Sequence, residues 1–164
     1  MVPVSLNVEE SDLDLNTVLN TLGYQPNQKD SVMGADVLML PKDLESPESS
    51  FDDKSVSIKK HIEKQLRIEV LTKQGSKSHY EAQRAADILV PALVFLGLQA
   101  FDIGKGIIAS WVYDRYLQLR NRGLTPTVAF KFVVIDKKKG IKKEVSYEGP
   151  ADELQDTLKT LKLD

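Results

Sequence analysis

Apolar and polar residues alternate at the start of the chain, where Val2, Val4, Leu6 and Val8 are separated by polar residues or proline. Alternation with a period of two predicts a half-buried β-strand. Because proline cannot donate a backbone hydrogen bond, Pro3 predicts that this strand lies at the edge of a sheet.

A helical spacing follows the first strand, with apolar residues three or four positions apart at Leu15, Val18, Leu19 and Leu22. We expect Ser11 to cap this helix and Gly23 to end it. The apolar run 35–40 predicts a second, buried strand. Strand, helix and strand in succession predict a crossover that joins two parallel strands.

Residues 41–55 are rich in proline, serine and acidic residues, which predicts a mobile acidic loop or linker inside one domain. Ile58 and Ile62 then have the spacing of a short helix. From Leu66 to about Lys73 the alternation returns and predicts another strand.

The middle of the chain has the spacing of a long helix over 79–101. Ser78 and Glu81 match a capping box, in which each side chain bonds to the backbone of the other residue. Thirteen of the fourteen residues in 88–101 are apolar, glycine or proline. A helix that is apolar on every side must be buried in a core, a partner or a bilayer, and Pro91 predicts a kink in it.

Gly104 and Gly106 predict a break in this helix, after which a second helix follows. A membrane-spanning helix needs about twenty consecutive apolar residues, and the stretch 88–112 contains Asp102 and Lys105. We therefore expect a kinked apolar helix, or a helical hairpin, buried in the core. Docking to a membrane or insertion into it through 88–112 is the alternative.

The C-terminal part predicts a β-hairpin followed by a helix. Residues 127–136 are apolar on both faces apart from Lys131, which predicts a central strand. The segment 137–140 predicts the hairpin loop, and 141–148 alternates as a one-faced outer strand would. Pro150 suits the start of the last helix, whose apolar stripe is Leu154, Leu158 and Leu161.

Together these elements predict an α+β fold: a mixed sheet of about five strands with the long apolar helix packed on it and a C-terminal β-hairpin plus helix. We expect a single domain over 1–164. The chain has no cysteine, which excludes disulfides, thiolate metal sites and cysteine nucleophiles. Its N-terminus lacks the features of a secretory signal, so we expect a cytoplasmic protein, peripheral to a membrane if the alternative holds.

Charge is segregated along the chain, although the net charge is only −2. Residues 1–53 carry a net charge of −9, residues 54–143 carry +11, and residues 144–164 carry −4. Acidic and basic segments either face each other in the fold or are solvated separately. A basic surface that attracts an anionic partner is the alternative.

Five lysines cluster at the predicted hairpin tip: Lys137, Lys138, Lys139, Lys142 and Lys143. Such a tip can bind anions, including nucleic acid phosphates, without reading a base sequence. A second basic patch would consist of Lys54, Lys59, Lys60 and Lys64. A solvated tip that prevents edge-to-edge aggregation explains the same lysines without any ligand.

No motif predicts a catalytic, cofactor-binding or metal-binding residue. His61 and His79 lack the spacing of metal ligands. Gly104-Lys105-Gly106 lacks the upstream glycine and the Ser or Thr of a phosphate-binding loop. We therefore expect a protein that binds and does not catalyse, with no cofactor.

Aromatic residues and arginines alternate where the second helix leaves the apolar segment, at Trp111, Tyr113, Arg115, Tyr116 and Arg120. This order of aromatic residues and arginines is typical of a helix at a membrane interface, and also of a helix that leaves an apolar core. The leading hypothesis is a non-enzymatic interaction or oligomerisation module with a buried helical hairpin, which binds a protein partner or a second copy of itself. Membrane association and anion or nucleic acid binding are the alternatives.

Overall fold

The secondary structure follows the local patterns closely at both ends of the chain and departs from them in the middle. The computed structural model describes residues 5–82 and 87–163. In chain order the elements are β1 Ser5–Glu10, α1 Leu15–Thr21, α2 Pro26–Met33, β2 Val37–Met39, β3 Ser49–Asp52, α3 Ser55–Ile62, β4 Ile68–Val70, β5 Ser78–Glu81, β6 Asp87–Leu89, β7 Leu93–Leu96, α4 Leu98–Arg120, β8 Thr127–Asp136, β9 Ile141–Pro150 and α5 Leu154–Thr160.

The fold is α+β, with a mixed sheet, a long helix and a C-terminal β-hairpin followed by a helix. The described strands of the main sheet are ordered β1-β9-β8-β7-β2-β4, and β6 also pairs with β8. The strand β8 is central, as predicted, because it is apolar on both faces and pairs on both edges. The strands β3 and β5 form a separate parallel pair.

Helices cover both faces of the main sheet and create two apolar clusters. On one face α3, α4 and α5 pack against alternate residues of the central strands, including Phe95 and Phe132. On the other face, α1 and α2 pack against the intervening residues of the same strands, including Val94 and Val133. The predicted stripe of α1 is buried there, and the predicted stripe of α5 is buried on the opposite face.

The apolar run 88–101 is not a helix but two strands and the first turn of α4. The strands β6 and β7 lie end to end along one edge of β8. Leu89 lies opposite Ala129 and Leu93 opposite Phe132, so this side contains one extra residue. Proline has no amide hydrogen for the ladder, and the bulge at Pro91 accommodates it.

The capping-box prediction at Ser78 is also wrong, because Ser78–Glu81 forms β5. A short run that is apolar throughout suits a strand covered on both faces as well as it suits a buried helix. Helices pack on both faces of β7, and this tertiary packing favours a strand at these residues.

The long helix α4 begins at Leu98 and continues through Gly104 and Gly106 without the predicted break. Pro91 precedes it and does not lie within it. Gly104 faces the ring of Phe95, where a Cβ atom would lie 2.3 Å from a ring carbon. The first glycine therefore allows close packing between α4 and β7 and is not a hinge.

The N-terminal crossover prediction is wrong as well. The strand β1 is an edge strand, but it pairs with β9, and three strands separate it from β2. Following the pairings across the sheet, β1 and β2 run in opposite directions. Because β1 pairs with its free edge, β9 is not the outer strand of the sheet that its alternation predicts.

Local capping differs from prediction at α1. The carboxylate of Asp14, and not Ser11, accepts hydrogen bonds from the amides of Asn16 at 3.0 Å and Thr17 at 3.4 Å. Ser11 instead accepts from the amide of Leu13 at 3.1 Å. The helix α2 is not predicted by the spacing of apolar residues, because its amphipathic pattern is weak and only Val32 is buried.

The predicted loop 41–55 contains a strand, β3, whose Phe51 is buried and stacks on Tyr80 of β5. The ammonium of Lys42 bridges the carboxylates of Asp52 at 2.8 Å and Glu81 at 3.0 Å. Mobility of the rest of this segment stays a prediction. None of the helices in the described ranges is both long enough and apolar enough to cross a membrane.

Candidate functional site

A cavity lies at the carboxyl ends of the parallel strands β7 and β8. Gly97 turns the chain from β7 into α4 with a φ of +125°, a value that side-chain-bearing residues rarely adopt. The amide of Leu98 then donates to Asp136, the last residue of β8, at 3.1 Å. This bond ties the start of the helix to the adjacent strand.

This cavity, which we call the α4 cleft, has a volume of about 700 Å³. Its apolar wall consists of Met33, Leu66, Leu96, Leu98, Ala100, Ile103 and Ile135. Its polar side chains are Asp36, Gln99, Asp136, Lys137 and Lys138. The cleft therefore combines an apolar wall with a charged rim.

The two carboxylates of the α4 cleft are occupied by backbone donors. Asp136 accepts from Leu98 and from the amide of Lys139 at 3.1 Å, and these hydrogen bonds lower the pKa of its carboxyl group. Asp36 accepts from the amide of Arg67 at 2.8 Å. Both acidic side chains of the rim thus already accept hydrogen bonds from the backbone.

The two lysines of the rim differ from these acids. Lys137 and Lys138 are exposed, and neither ammonium forms an ion pair with any residue that the structure describes. The rim therefore carries two carboxylates that already accept backbone hydrogen bonds and two ammonium groups that form no ion pair with a described residue.

A second cavity, of about 500 Å³, adjoins the first and shares Met33, Ile135, Asp136 and Lys137 with it. Lys29 and Lys142 also line this second cavity, between α1, α2 and the hairpin turn. Lys137 thus lies between two depressions at the same end of the sheet.

The structure divides the predicted lysine cluster among different environments. Lys137 and Lys138 line the α4 cleft, and Lys142 lines its neighbour. Lys139 is exposed and lines neither cavity, while Lys143 forms an ion pair with Glu10 of β1. The turn is a hairpin loop as predicted, with Gly140 at a φ of +66°.

The predicted interaction residues lie around a smaller cavity between α3 and α4. This α3–α4 groove has a volume of about 240 Å³ and is lined by Lys54, Ser57, His61, Trp111, Asp114, Arg115 and Gln118. The indole nitrogen of Trp111 donates to the hydroxyl of Ser57 at 3.0 Å and joins the two helices. Trp111 is buried at 6% exposure and forms the floor.

The other predicted interaction residues are spread over the surface of α4. Arg115 lines the groove and donates to Gln118 at 3.2 Å. Tyr113 is 41% exposed outside the groove, and its ring centroid lies 6.1 Å from that of the partly buried Tyr116. Arg120 is exposed and does not line the groove.

The second predicted lysine patch is also divided. Lys54 reaches the α3–α4 groove, whereas Lys59 pairs with Glu63 at 3.5 Å. Lys60 and Lys64 are exposed. Only one of these four lysines therefore lies in a concave site.

The remaining polar motifs have structural roles. Lys105 lies within α4, pairs with Asp102 at 3.1 Å and donates to the carbonyl of Leu161 at 2.9 Å, which ties α4 to the end of α5. His79 contacts Glu48 at 2.6 Å, and Nδ1 of His61 lies 2.9 Å from the carbonyl oxygen of Ser57. Over the described residues, no three His, Cys, Asp or Glu side chains converge as metal ligands would.

Sequence reasoning missed the α4 cleft because its walls come from distant segments. Met33 ends α2, while Asp36 and Leu66 lie just before β2 and β4. The other lining residues come from the ends of β7 and β8, the first turns of α4 and the hairpin turn. Gly97 after an apolar run and Asp136 at the end of a strand were the available signals. They predict a site only once β7 and β8 are known to be parallel neighbours.

The chain matches no protein-family model, no curated protein and no solved structure. Its function has to be inferred from its own geometry.

Proposed function

We propose that this protein is a binding module that takes a small ligand, with an apolar body and an anionic group, in the α4 cleft. The observation that carries the proposal is the combination of a cavity of about 700 Å³ with two unpaired lysines on its rim. Ligand pockets typically have volumes of about 300–1,000 Å³ and a mostly apolar lining with a few polar groups.

The position of the cleft supports the same proposal. In open sheets with parallel strands, ligands bind outside the carboxyl ends of the strands. The cleft lies at that end of β7 and β8, beside the start of the helix that connects them. Loops and helix starts meet there, so side chains can vary without disturbing the sheet.

The anionic group is inferred from charge. Asp36 and Asp136 keep their negative charges but already accept hydrogen bonds from backbone amides, whereas the ammonium groups of Lys137 and Lys138 have no ion-pair partner among the described residues and can donate to an anion. An exposed ion pair contributes only about 0.2–1 kcal/mol. The apolar wall would therefore provide most of the affinity, at about 25 cal/mol for each Å² of apolar surface buried.

The burial of the apolar side chains in 88–112 does not favour membrane docking. Membrane docking would need exposed apolar side chains, but at most 1% of the surface is exposed at each of Phe95, Phe101, Ile108 and Val112. Cytoplasmic location and self-association remain predictions.

The proposal can be tested with anilinonaphthalene sulfonate, a fluorescent probe with an aromatic body and one negative charge. Titration should give saturable emission, and N-phenylnaphthylamine, which lacks the sulfonate, should bind more weakly. Replacing both rim lysines, as Lys137→Gln with Lys138→Gln, should weaken sulfonate binding about tenfold if each contact contributes about 0.7 kcal/mol.

The matched control is Lys139→Gln, which removes one charge from the same turn but none from the cleft. It should leave the affinity for the sulfonate almost unchanged, and the double variant should bind N-phenylnaphthylamine as the original protein does. Equal losses from Lys139→Gln and from a single Lys137→Gln would refute a site in the cleft, because binding would then depend only on total charge.

A further inference from the structure

We infer that the α3–α4 groove is a docking site for an acidic side chain of a protein partner. The groove is separate from the proposed ligand site. Trp111 follows Leu98 by thirteen residues, which corresponds to about 20 Å along a helix at 1.5 Å per residue.

Two helices contribute basic groups to the groove. Lys54 is the N-cap residue of α3 and has helical backbone angles. His61 follows it by seven residues, about two helical turns, so both side chains project from the same side. Arg115 faces them from α4. The hydrogen bond between Ser57 and Trp111 joins the helices beneath these side chains, so the groups are held in one concave site.

The basic groups of the groove are not neutralised by neighbours. Within the described residues, neither Lys54 nor Arg115 forms an ion pair. Asp114 is the one acidic residue in the lining. Arg115 contacts only the neutral amide of Gln118, which a carboxylate could replace as the stronger acceptor.

Size and charge pattern favour a carboxylate side chain of a protein over the phosphates of a nucleic acid. The volume of about 240 Å³ is below the range of about 300–1,000 Å³ that is typical of small-molecule sites. Asp114 on the rim would repel a continuous phosphate backbone but can pair with a basic residue beside the acidic one. Tyr113 is exposed on the same helix and offers the aromatic contact area common in protein interfaces.

Binding in the groove can be followed by tryptophan fluorescence, because Trp111 is the only tryptophan of the chain and forms the floor of the groove. Titration with hexaglutamate, under selective excitation of tryptophan, should produce a saturable change in emission, and hexalysine should not. Arg115→Gln should weaken hexaglutamate binding about fivefold, as expected for the loss of one typical hydrogen bond at a partly exposed site. Asp114→Asn should strengthen binding about twofold, because it removes the opposing charge.

The matched control is Arg120→Gln, which removes an exposed arginine from α4 without changing the groove. Thermal unfolding of each variant establishes that it is folded. An unchanged emission on hexaglutamate addition, or equal losses in Arg115→Gln and Arg120→Gln, would overturn the inference. Single-stranded DNA that binds more tightly than hexaglutamate, with the same dependence on Arg115, would reassign the groove to nucleic acid.

Discussion

Alanine at position 104 and alanine at position 106 should change stability in opposite directions, although both replace a glycine inside α4. Glycine in a helix interior costs about 0.8–1.0 kcal/mol relative to alanine. At Gly106 an added Cβ atom meets nothing within 4 Å. Gly106→Ala should therefore stabilise the protein by up to about 1 kcal/mol.

At Gly104 the added Cβ atom would lie 2.3 Å from Cε1 and 3.0 Å from Cζ of Phe95. Ordinary carbon contacts are about 3.5–4.0 Å, so the ring would have to move. Phe95 is fully buried, and its ring centroid lies 5.4 Å from that of Phe101 and 5.5 Å from that of Phe132. These neighbours leave the ring little freedom to move.

Overpacking of a core costs about 1–3 kcal/mol and occasionally more. After the gain in helix propensity is subtracted, Gly104→Ala should destabilise the protein by up to about 2 kcal/mol. The two variants should therefore differ by about 1–3 kcal/mol. For a chain of this size, 1 kcal/mol corresponds to about 2–4 °C in Tm.

The assay is equilibrium urea unfolding, followed by far-ultraviolet circular dichroism and supported by thermal midpoints. Equal midpoints for the two variants would show that the close approach of α4 to Phe95 does not exist. Destabilisation by Gly106→Ala would contradict the continuous helix and favour a break at this position.

Three further changes probe the core and the two titrating groups. Phe132→Ala should destabilise by about 3–5 kcal/mol, measured by urea unfolding, because it removes a fully buried ring; a loss below about 1 kcal/mol would contradict this packing. Because the fold lowers the pKa of Asp136, ionised Asp136 stabilises the folded state at pH values above the ordinary carboxyl pKa. This stabilisation is lost as the pH falls through the pKa of Asp136 in the folded state. Asp136→Asn should therefore flatten the acid limb of a Tm–pH curve, and an unaltered limb would refute the cap. Burial, with Glu153 and Asp152 nearby, raises the pKa of Tyr147 to about 12, so stability should fall between pH of about 10 and about 12. Tyr147→Phe should abolish that fall, and a fall of the same size would assign it to another group.

The candidate site was predictable only in part. The density of lysines in the hairpin turn predicts Lys137 and Lys138 as anion ligands, and both line the α4 cleft. Lys143 came from the same cluster but pairs with Glu10, 133 positions earlier in the chain. Lysine density in sequence does not distinguish these cases, because a partner on another strand neutralises one lysine and not its neighbours.

Local interactions account for what the sequence by itself determined. The ends of β8, the hairpin turn with Gly140 and the stripes of α1 and α5 agree with prediction. In each case the alternation, the helical spacing or the required φ is set by residues within a few positions. The α+β class followed from the same patterns.

Tertiary structure alone decided the middle of the chain. Residues 88–96 are apolar on every side, and such a run suits any element that is fully buried. They became the strands β6 and β7 because β8 offers a free edge and helices cover both faces of β7. The α4 cleft and the contact of Gly104 with Phe95 both depend on that choice, since each involves the end or a side chain of β7.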